Sequence, residues 1–243
     1  MLLLQFVGVA LFACLLAQAG SAAAQSGTAL VPLPGARAGV DPVADVAQGV
    51  VTIMSIDQYP PGMREQLEHE RDIDRRGYEA VDALHWDWDD DNAAPALLAP
   101  DAARARLRFR PATLEVGTAN RAAAPLQLEG LMLPGPPEMP GPWTSATHVL
   151  RRSDGVAVYL HEVAYAQAGG AIMFARELIN ARVGGAPGRF KLQRAPGGRA
   201  MSMLAWATAQ RYFVLYVRDD VTAPGQAYDR AWLQALAEAV RAH

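Results

Sequence analysis

Three β-rich runs separated by short turns most strongly limit what this chain can fold into. The runs are RFKLQR, RAMSMLAW and RYFVLYV, and they lie between residues 189 and 217. The first turn contains Ala195-Pro196-Gly197-Gly198, and the second contains Ala207-Thr208-Ala209-Gln210. Short turns between β-rich runs are typical of neighbouring antiparallel strands. We therefore expect an antiparallel sheet near the C-terminus.

The segments around these runs indicate one further strand and a closing helix. GVAVYLHEVAYA, residues 155–166, is strand-like, whereas residues 171–183 fit either a strand or a helix. Apolar side chains recur at helical spacing in the last segment, at Tyr228, Trp232, Ala235, Leu236, Ala239 and Val240. That helix is expected to lie across the sheet and bury this stripe. The predicted fold class is α+β, with a C-terminal antiparallel sheet packed by a terminal amphipathic helix.

The N-terminal half is expected to form a smaller α/β region. GVVTIMSI, residues 49–56, predicts a short strand that ends before Tyr59-Pro60-Pro61-Gly62. A helix is expected over residues 63–86, with an interruption at Gly77, and its thin apolar stripe indicates a peripheral element. Leu107 and Phe109 alternate with arginines within residues 104–117, which predicts a strand with one basic face. Such a face can meet phosphates or anionic lipid headgroups, although a charged edge strand protected against mispairing is the simpler interpretation.

Composition divides the chain into segments. Residues 133–142, LPGPPEMPGP, hold five prolines and predict a hinge. The hinge separates an acidic N-terminal region of mixed helix and strands, residues 49–132, from a C-terminal α+β domain, residues 143–243. Residues 25–48 are rich in Pro, Gly and Ala and predict a flexible tether.

Residues 1–24 carry no charge, and their apolar run ends in small residues. That order is typical of a signal peptide, with Ala22 and Ala24 before the cleavage point, although a signal normally begins with Lys or Arg. A retained anchor is the alternative, and lipidation of Cys14 within a lipobox-like Leu11-Phe12-Ala13-Cys14 is another. Cys14 is the only cysteine, so ordinary cleavage excludes disulfides and cysteine-ligated metal. We expect a periplasmic or secreted protein.

The order of features from Gly185-Ala186-Pro187-Gly188 to the final helix supports a family resemblance. A strand ends in Leu204 and Trp206, an aromatic strand follows at Tyr212-Phe213-Val214-Leu215-Tyr216, and an amphipathic helix closes the chain. Residues 142–243 thereby resemble the small extracytoplasmic α+β domains of bacterial envelope regulators, such as anti-sigma-type sensors and their periplasmic partners. The resemblance implies binding of a protein or a lipid without catalysis. It carries over no functional residue, and the absence of a cytoplasmic sigma-binding region argues against direct sigma-factor inhibition.

An acidic stretch, HWDWDDDN at residues 85–92, is the candidate metal site. Asp87, Asp89 and Asp91 have the spacing of the first, third and fifth ligands of a calcium loop. Leu98, however, stands where such a loop requires a bidentate Glu. Hydration and salt screening relieve the repulsion in an exposed loop without a cation. We favour the surface loop, name no required cofactor, and keep calcium as the alternative.

Motifs for catalysis are absent from the sequence, which contains no HExxH, HxH, GxSxG, GxGxxG or P-loop. We therefore name no catalytic residue. A spatially assembled hydrolase site stays open, in which His161 and Glu162 meet Ser145 or Asp154 after folding. Neighbouring residues on a strand face opposite ways, however, so His161 and Glu162 are not expected to share a pocket.

Aromatic side chains near the C-terminus are the candidate ligand contacts. Trp206, Tyr212 and Phe213 could line a groove for an acyl chain or peptide, and ordinary core packing explains the same residues. We expect an exported bacterial envelope protein with a non-catalytic binding or regulatory role and a protein or lipid ligand. A hydrolase built around His161 and a calcium-stabilised accessory domain are the alternatives. No nucleic-acid partner is expected, and membrane association only through a retained N-terminal segment or a lipidated Cys14.

Overall fold

The computed structural model describes residues 50–84, 97–114, 126–134 and 141–242. The helices are α1 (Pro61–Arg76), α2 (Pro100–Arg104) and α3 (Arg230–Glu238). The strands are β1 (Val51–Met54), β2 (Glu79–Ala80), β3 (Thr113–Leu114), β4 (Leu126–Met132), β5 (Ser145–Arg152), β6 (Ala157–Val163), β7 (Ile172–Ala175), β8 (Ala181–Val183), β9 (Ala186–Arg194), β10 (Ala200–Ala207), β11 (Tyr212–Val217) and β12 (Val240–Arg241). Short 3-10 helices occupy Ile56–Gln58, Arg176–Leu178 and Pro196–Gly198.

Eight strands form one mixed sheet with the order β2-β9-β10-β11-β6-β5-β4, and β8 pairs with β9 off this path. The β2–β9 pair is parallel, and the other pairs of this sheet are antiparallel. Two smaller sheets join β1 to β7 in parallel and β12 to β3 in antiparallel orientation. The predicted α+β class is confirmed, and most of the ordered structure is sheet.

The three β-rich runs near the C-terminus form β9, β10 and β11, as predicted from their turns. Leu204 in the middle strand lies opposite Phe190 on one side and Leu215 on the other. The turn after β9 is closed by the amide of Ala195, which donates to the carbonyl of Arg199 at 2.9 Å. The short connections therefore fix the antiparallel register.

Both faces of the large sheet are buried, because alternate residues of its central strands belong to different apolar clusters. On one face, Leu204 and Trp206 share a cluster with Leu233 and Leu236 of α3. On the opposite face, Met203 and the residues two positions before and after it share a cluster with residues of β7. The central strands are consequently apolar on both sides.

The N-terminal elements agree in part with the sequence-based expectations. β1 lies within the predicted strand at residues 49–56. α1 ends earlier than expected, at Gly77, whose backbone adopts the left-handed conformation (φ 86°) that glycine tolerates best. The ambiguous residues 171–183 form β7 and β8 around a 3-10 helix. Among the described residues, no helix is long and apolar enough to cross a membrane.

The strand predicted over residues 104–117 is wrong for most of its described part. The backbone turns after α2, and Leu107 forms only an isolated bridge with Trp143. The amide of Arg108 donates to the carbonyl of Trp143 at 2.9 Å, and the Trp143 amide donates to Arg106 at 2.8 Å. Phe109 is buried without belonging to a strand. The alternating segment therefore forms a turn that buries Phe109 and leaves Leu107 half-buried.

Strands from both sides of the proline-rich segment belong to one sheet. β4 precedes residues 133–142 and pairs with β5, which follows them. The proposed signal peptide, residues 1–24, and the tether, residues 25–48, lie outside the described residues. The division into an acidic region and a C-terminal domain stays a prediction.

Candidate functional site

The three predicted ligand residues occupy the interior of the fold. Trp206 and Phe213 stack with their ring centroids 5.0 Å apart, and their exposed fractions are 3% and 1%. Tyr212 belongs to the cluster on the opposite face of the sheet. The structure therefore brings Trp206 and Phe213 together and separates Tyr212 from them. Their role as ligand contacts stays a prediction, as does the calcium site, because Asp87, Asp89 and Asp91 lie outside the described residues.

His161 and Glu162 lie on opposite faces of the sheet, as the alternation of a strand predicts. The Nδ1 atom of His161 lies 2.9 Å from the hydroxyl of Thr147 on the neighbouring strand. Glu162 instead contacts His148, with Oε1 and Nε2 2.7 Å apart. Asp154 is paired with Arg152 at 2.6 Å. His161 and Glu162 are therefore not brought into one pocket.

Glu162 is the centre of a buried polar cluster that the sequence did not reveal. Its carboxylate has no exposed surface and accepts bonds from three parts of the chain. Besides contacting His148, it accepts from the guanidinium of Arg211 at 3.1 Å and from the amide of Ala112 at 3.0 Å. A carboxylate without exposed surface cannot touch a substrate in this structure. Its partners connect β5, β6 and the segments before β3 and β11.

The candidate site is a cleft of about 470 Å³ at the β9 edge of the sheet, which we call the edge cleft. Its lining comes from the end of α1 and the residues after it, from β9, from the residue before β8, from the loop after β11 and from the start of α3. The lining residues are Ile73, Asp74, Arg76, Gly77, Tyr78, Asn180, Phe190, Lys191, Leu192, Arg194, Thr222 and Arg230.

The edge cleft exists because two short strands leave the middle of β9 uncovered. β8 pairs with residues 186–188 of β9, whereas β2 pairs with residues 193 and 194. Asn180 fills the gap between them, since its side-chain amide donates to the Phe190 carbonyl at 3.0 Å and its oxygen accepts from the Phe190 amide at 2.6 Å. One side chain thereby satisfies both main-chain groups of Phe190, as a neighbouring strand would.

Two arginines of the edge cleft lie over aromatic rings. The guanidinium carbon of Arg230 is 4.4 Å from the centre of the Phe190 ring, and that of Arg194 is 4.8 Å from the centre of the Tyr78 ring. Arg230 also donates to the main-chain carbonyl of Asn180 at 3.3 Å. Cation–π contacts at such distances hold the planar guanidinium against the ring and limit its rotation.

Charge is unevenly compensated around the edge cleft. Lys191 is buried and lies 2.9 Å from both Glu70 and Glu79, and Arg194 lies 2.9 Å from Asp220. Two other cations, Arg76 and Arg230, are exposed and form no salt bridge with any acid in the described ranges. The lining thus presents two exposed arginines that form no salt bridge within the described ranges.

The pKa values of two carboxylates near the edge cleft are shifted in opposite directions. Burial by itself raises the pKa of Glu70, but the ion pairs with Lys191 and Arg189 outweigh burial and hold this pKa below its ordinary value. Burial raises the pKa of Asp74, and its bond from Arg189 at 2.8 Å does not fully offset that effect. Arg189 and Lys191 therefore form ion pairs that hold α1 against the sheet.

The edge cleft could not be recognised in the sequence, because its residues are spread over five segments of the chain. The available signal was the set of polar residues inside the apolar run of β9, Arg189, Lys191 and Gln193, which predict a polar partner on one face of that strand. That partner is α1. No known protein family, curated protein or solved structure matches this chain.

Proposed function

We propose that this chain is an exported bacterial envelope protein with a non-catalytic binding or regulatory role, and that it takes its ligand in the edge cleft. One observation carries the proposal. The cleft combines exposed guanidinium groups with aromatic rings that orient two of them, and its volume lies within the range of small-molecule sites. Cationic groups held in place before the ligand arrives lose less conformational entropy on binding.

We also propose the arrangement of sheet and terminal helix that was expected from the sequence. Residues 143–243 are proposed to act as the binding unit, an antiparallel sheet packed by its terminal amphipathic helix, and α1 supplies the opposite wall of the cleft. The resemblance to extracytoplasmic domains of envelope regulators supports a ligand drawn from the envelope, either a lipid or part of a protein. Export through residues 1–24 is proposed on the apolar run and its small residues.

Native mass spectrometry of the full chain isolated from the envelope fraction tests the proposal. The substitution Thr222→Trp fills the edge cleft from its exposed rim without removing a charge. Gln66→Trp is the matched control, because Gln66 is exposed on α1 and does not line the cleft.

We expect the wild-type protein and the Gln66→Trp control to retain a non-protein mass or a partner that Thr222→Trp has lost. Equal retention by both variants would place the ligand elsewhere and contradict the proposal. Chemical conversion of the retained molecule during incubation would contradict its non-catalytic part.

A further inference from the structure

We infer that the edge cleft binds the phosphate group of a small organic phosphate, with Arg230 and Arg76 as its cationic contacts. The inference deepens the proposed function and rests on it. The phosphate group can belong to a phospholipid headgroup or to a soluble phosphoester, because both present the same anionic oxygens.

Arg230 has the geometry that phosphate recognition requires. Its guanidinium lies against the Phe190 ring at 4.4 Å, which occupies one face of the group, and one of its N–H donors is used by the Asn180 carbonyl at 3.3 Å. A guanidinium carries five N–H donors in one plane, so others remain directed outwards from its edge. Planar forks of this kind pair with two oxygens of a phosphate at once.

Arg76 supplies a second charge from the opposite wall. It lies in the last turn of α1, is exposed, and precedes Gly77, where the helix ends. Because α1 and the start of α3 are separate elements, an anion between Arg76 and Arg230 would connect two walls of the cleft. Arg194 contributes less, since Asp220 already offsets its charge at 2.9 Å.

Apolar and aromatic residues make up the part of the lining that fits the organic portion of such a ligand, whereas Asp74, which also lines the cleft, is paired with Arg189 at 2.8 Å. Phe190 and Leu192 are core residues that also line the cleft, and Tyr78 lies beside them. An apolar floor next to cations suits a molecule with a charged group and a carbon skeleton. The volume of about 470 Å³ holds a small molecule, whereas a protein segment generally needs a much larger contact surface. The cleft therefore favours a small organic phosphate over an acidic peptide.

Nuclear magnetic resonance titration tests the inference on the full, processed protein. The side-chain amide signal of Asn180 and the arginine Nε–H signals report on the cleft directly. The probes are inorganic phosphate and glycerol 3-phosphate, with glycerol as the neutral control and a hexaglutamate peptide as the acidic-peptide control. Cosedimentation with phosphatidylglycerol vesicles, compared with phosphatidylcholine vesicles, tests a lipid as the source of the phosphate.

The variants are Arg230→Ala, Arg76→Ala and Arg230→Lys. Arg104→Ala is the matched control, because Arg104 is an exposed arginine of α2 outside the cleft. We expect glycerol 3-phosphate to shift the Asn180 signal saturably, and Arg230→Ala or Arg76→Ala to weaken its binding about tenfold or more. Arg230→Lys keeps the charge but loses the planar fork, so an intermediate loss is expected. Arg104→Ala should bind as the wild-type protein does.

Vesicle binding that depends on Arg230 would identify a lipid headgroup as the source, and binding of glycerol 3-phosphate alone would identify a soluble phosphoester. The inference is overturned if no probe with phosphate gives a saturable shift, if Arg104→Ala weakens binding equally, or if hexaglutamate binds more tightly. A ligand retained from the envelope and lost in Thr222→Trp, without phosphate binding, would leave the proposed function standing and remove only this inference. Phosphate binding in the edge cleft without a ligand retained from the envelope would support this inference and contradict the proposed origin of the ligand in the envelope.

Discussion

Glu162 and His148 lie on neighbouring strands with Oε1 and Nε2 2.7 Å apart, and Glu162 has no exposed surface. The same carboxylate accepts a bond from Arg211, which is 2% exposed and lies over the Phe109 ring at 4.9 Å. A buried charge of this kind is stable only while its partners remain. The cluster is therefore a place where one substitution should have a large structural effect.

Glu162→Gln should lower the free energy of unfolding by about 3–5 kcal/mol, because the substitution removes the anion that the buried guanidinium of Arg211 contacts at 3.1 Å. Chemical denaturation measures the change. Glu129→Gln is the control, since Glu129 pairs with Arg151 at 2.6 Å in a largely exposed place and should change stability by about 0–1 kcal/mol. Similar losses in both variants would show that the buried cluster is no more important than a surface ion pair.

Asn180→Ala should lower the free energy of unfolding by roughly 1–3 kcal/mol, because both main-chain groups of Phe190 lose their partner. Asn180→Asp should also destabilise the protein, since a carboxylate can accept from the Phe190 amide but cannot donate to its carbonyl. Thermal unfolding of both variants checks this. If both variants melt as the exposed control Gln66→Ala does, Asn180 is not a substitute for a strand at this edge.

Protonation of Glu70 should make the protein less stable in acid. Its pKa lies below the ordinary value in the folded state, so its contribution is full above the unfolded value of about 4.3 and is lost as pH falls through the folded pKa. Burial raises the pKa of Asp74, which gives the opposite slope. Unfolding free energies from pH 7 to 3 should therefore be compared between Asp74→Asn and Asp74→Asn/Glu70→Gln. Parallel curves in that range would contradict the role assigned to Glu70.

Processing of the N-terminus is proposed to remove residues 1–24. Intact mass measurement of the protein isolated from the envelope fraction should then give a chain that begins at Gln25. A lipid-modified chain that begins at Cys14 would favour the lipoprotein alternative. The full chain with its initiator methionine, found in the cytosolic fraction, would remove export from the account.

The elements that the sequence predicted correctly are those with strong local signals. β9, β10 and β11 are bounded by turns containing Pro196-Gly197-Gly198 and Thr208-Ala209-Gln210, so local chemistry fixes where each strand ends. The opposite orientation of His161 and Glu162 follows from the period of a strand alone. In residues 104–110, by contrast, alternation matched a strand while contacts with Trp143 produced a turn.

The edge cleft could not be predicted, because it depends on which strands are absent beside β9. Asn180 and Arg230 are far apart in sequence and meet only after β8 and α3 take their places. The partners of Glu162 likewise come from three distant segments. Aromatic composition pointed to Trp206 and Phe213 as ligand contacts, but core packing and ligand binding favour the same residue types, and both side chains are buried.

A crystal structure of the protein isolated from the envelope, without removal of bound molecules, would test the central claim most directly. We expect density for a non-protein group in the edge cleft, within hydrogen-bond distance of the Arg230 guanidinium and beside the Phe190 ring. An edge cleft that contains only ordered water, with a bound molecule at another place on the protein, would contradict it.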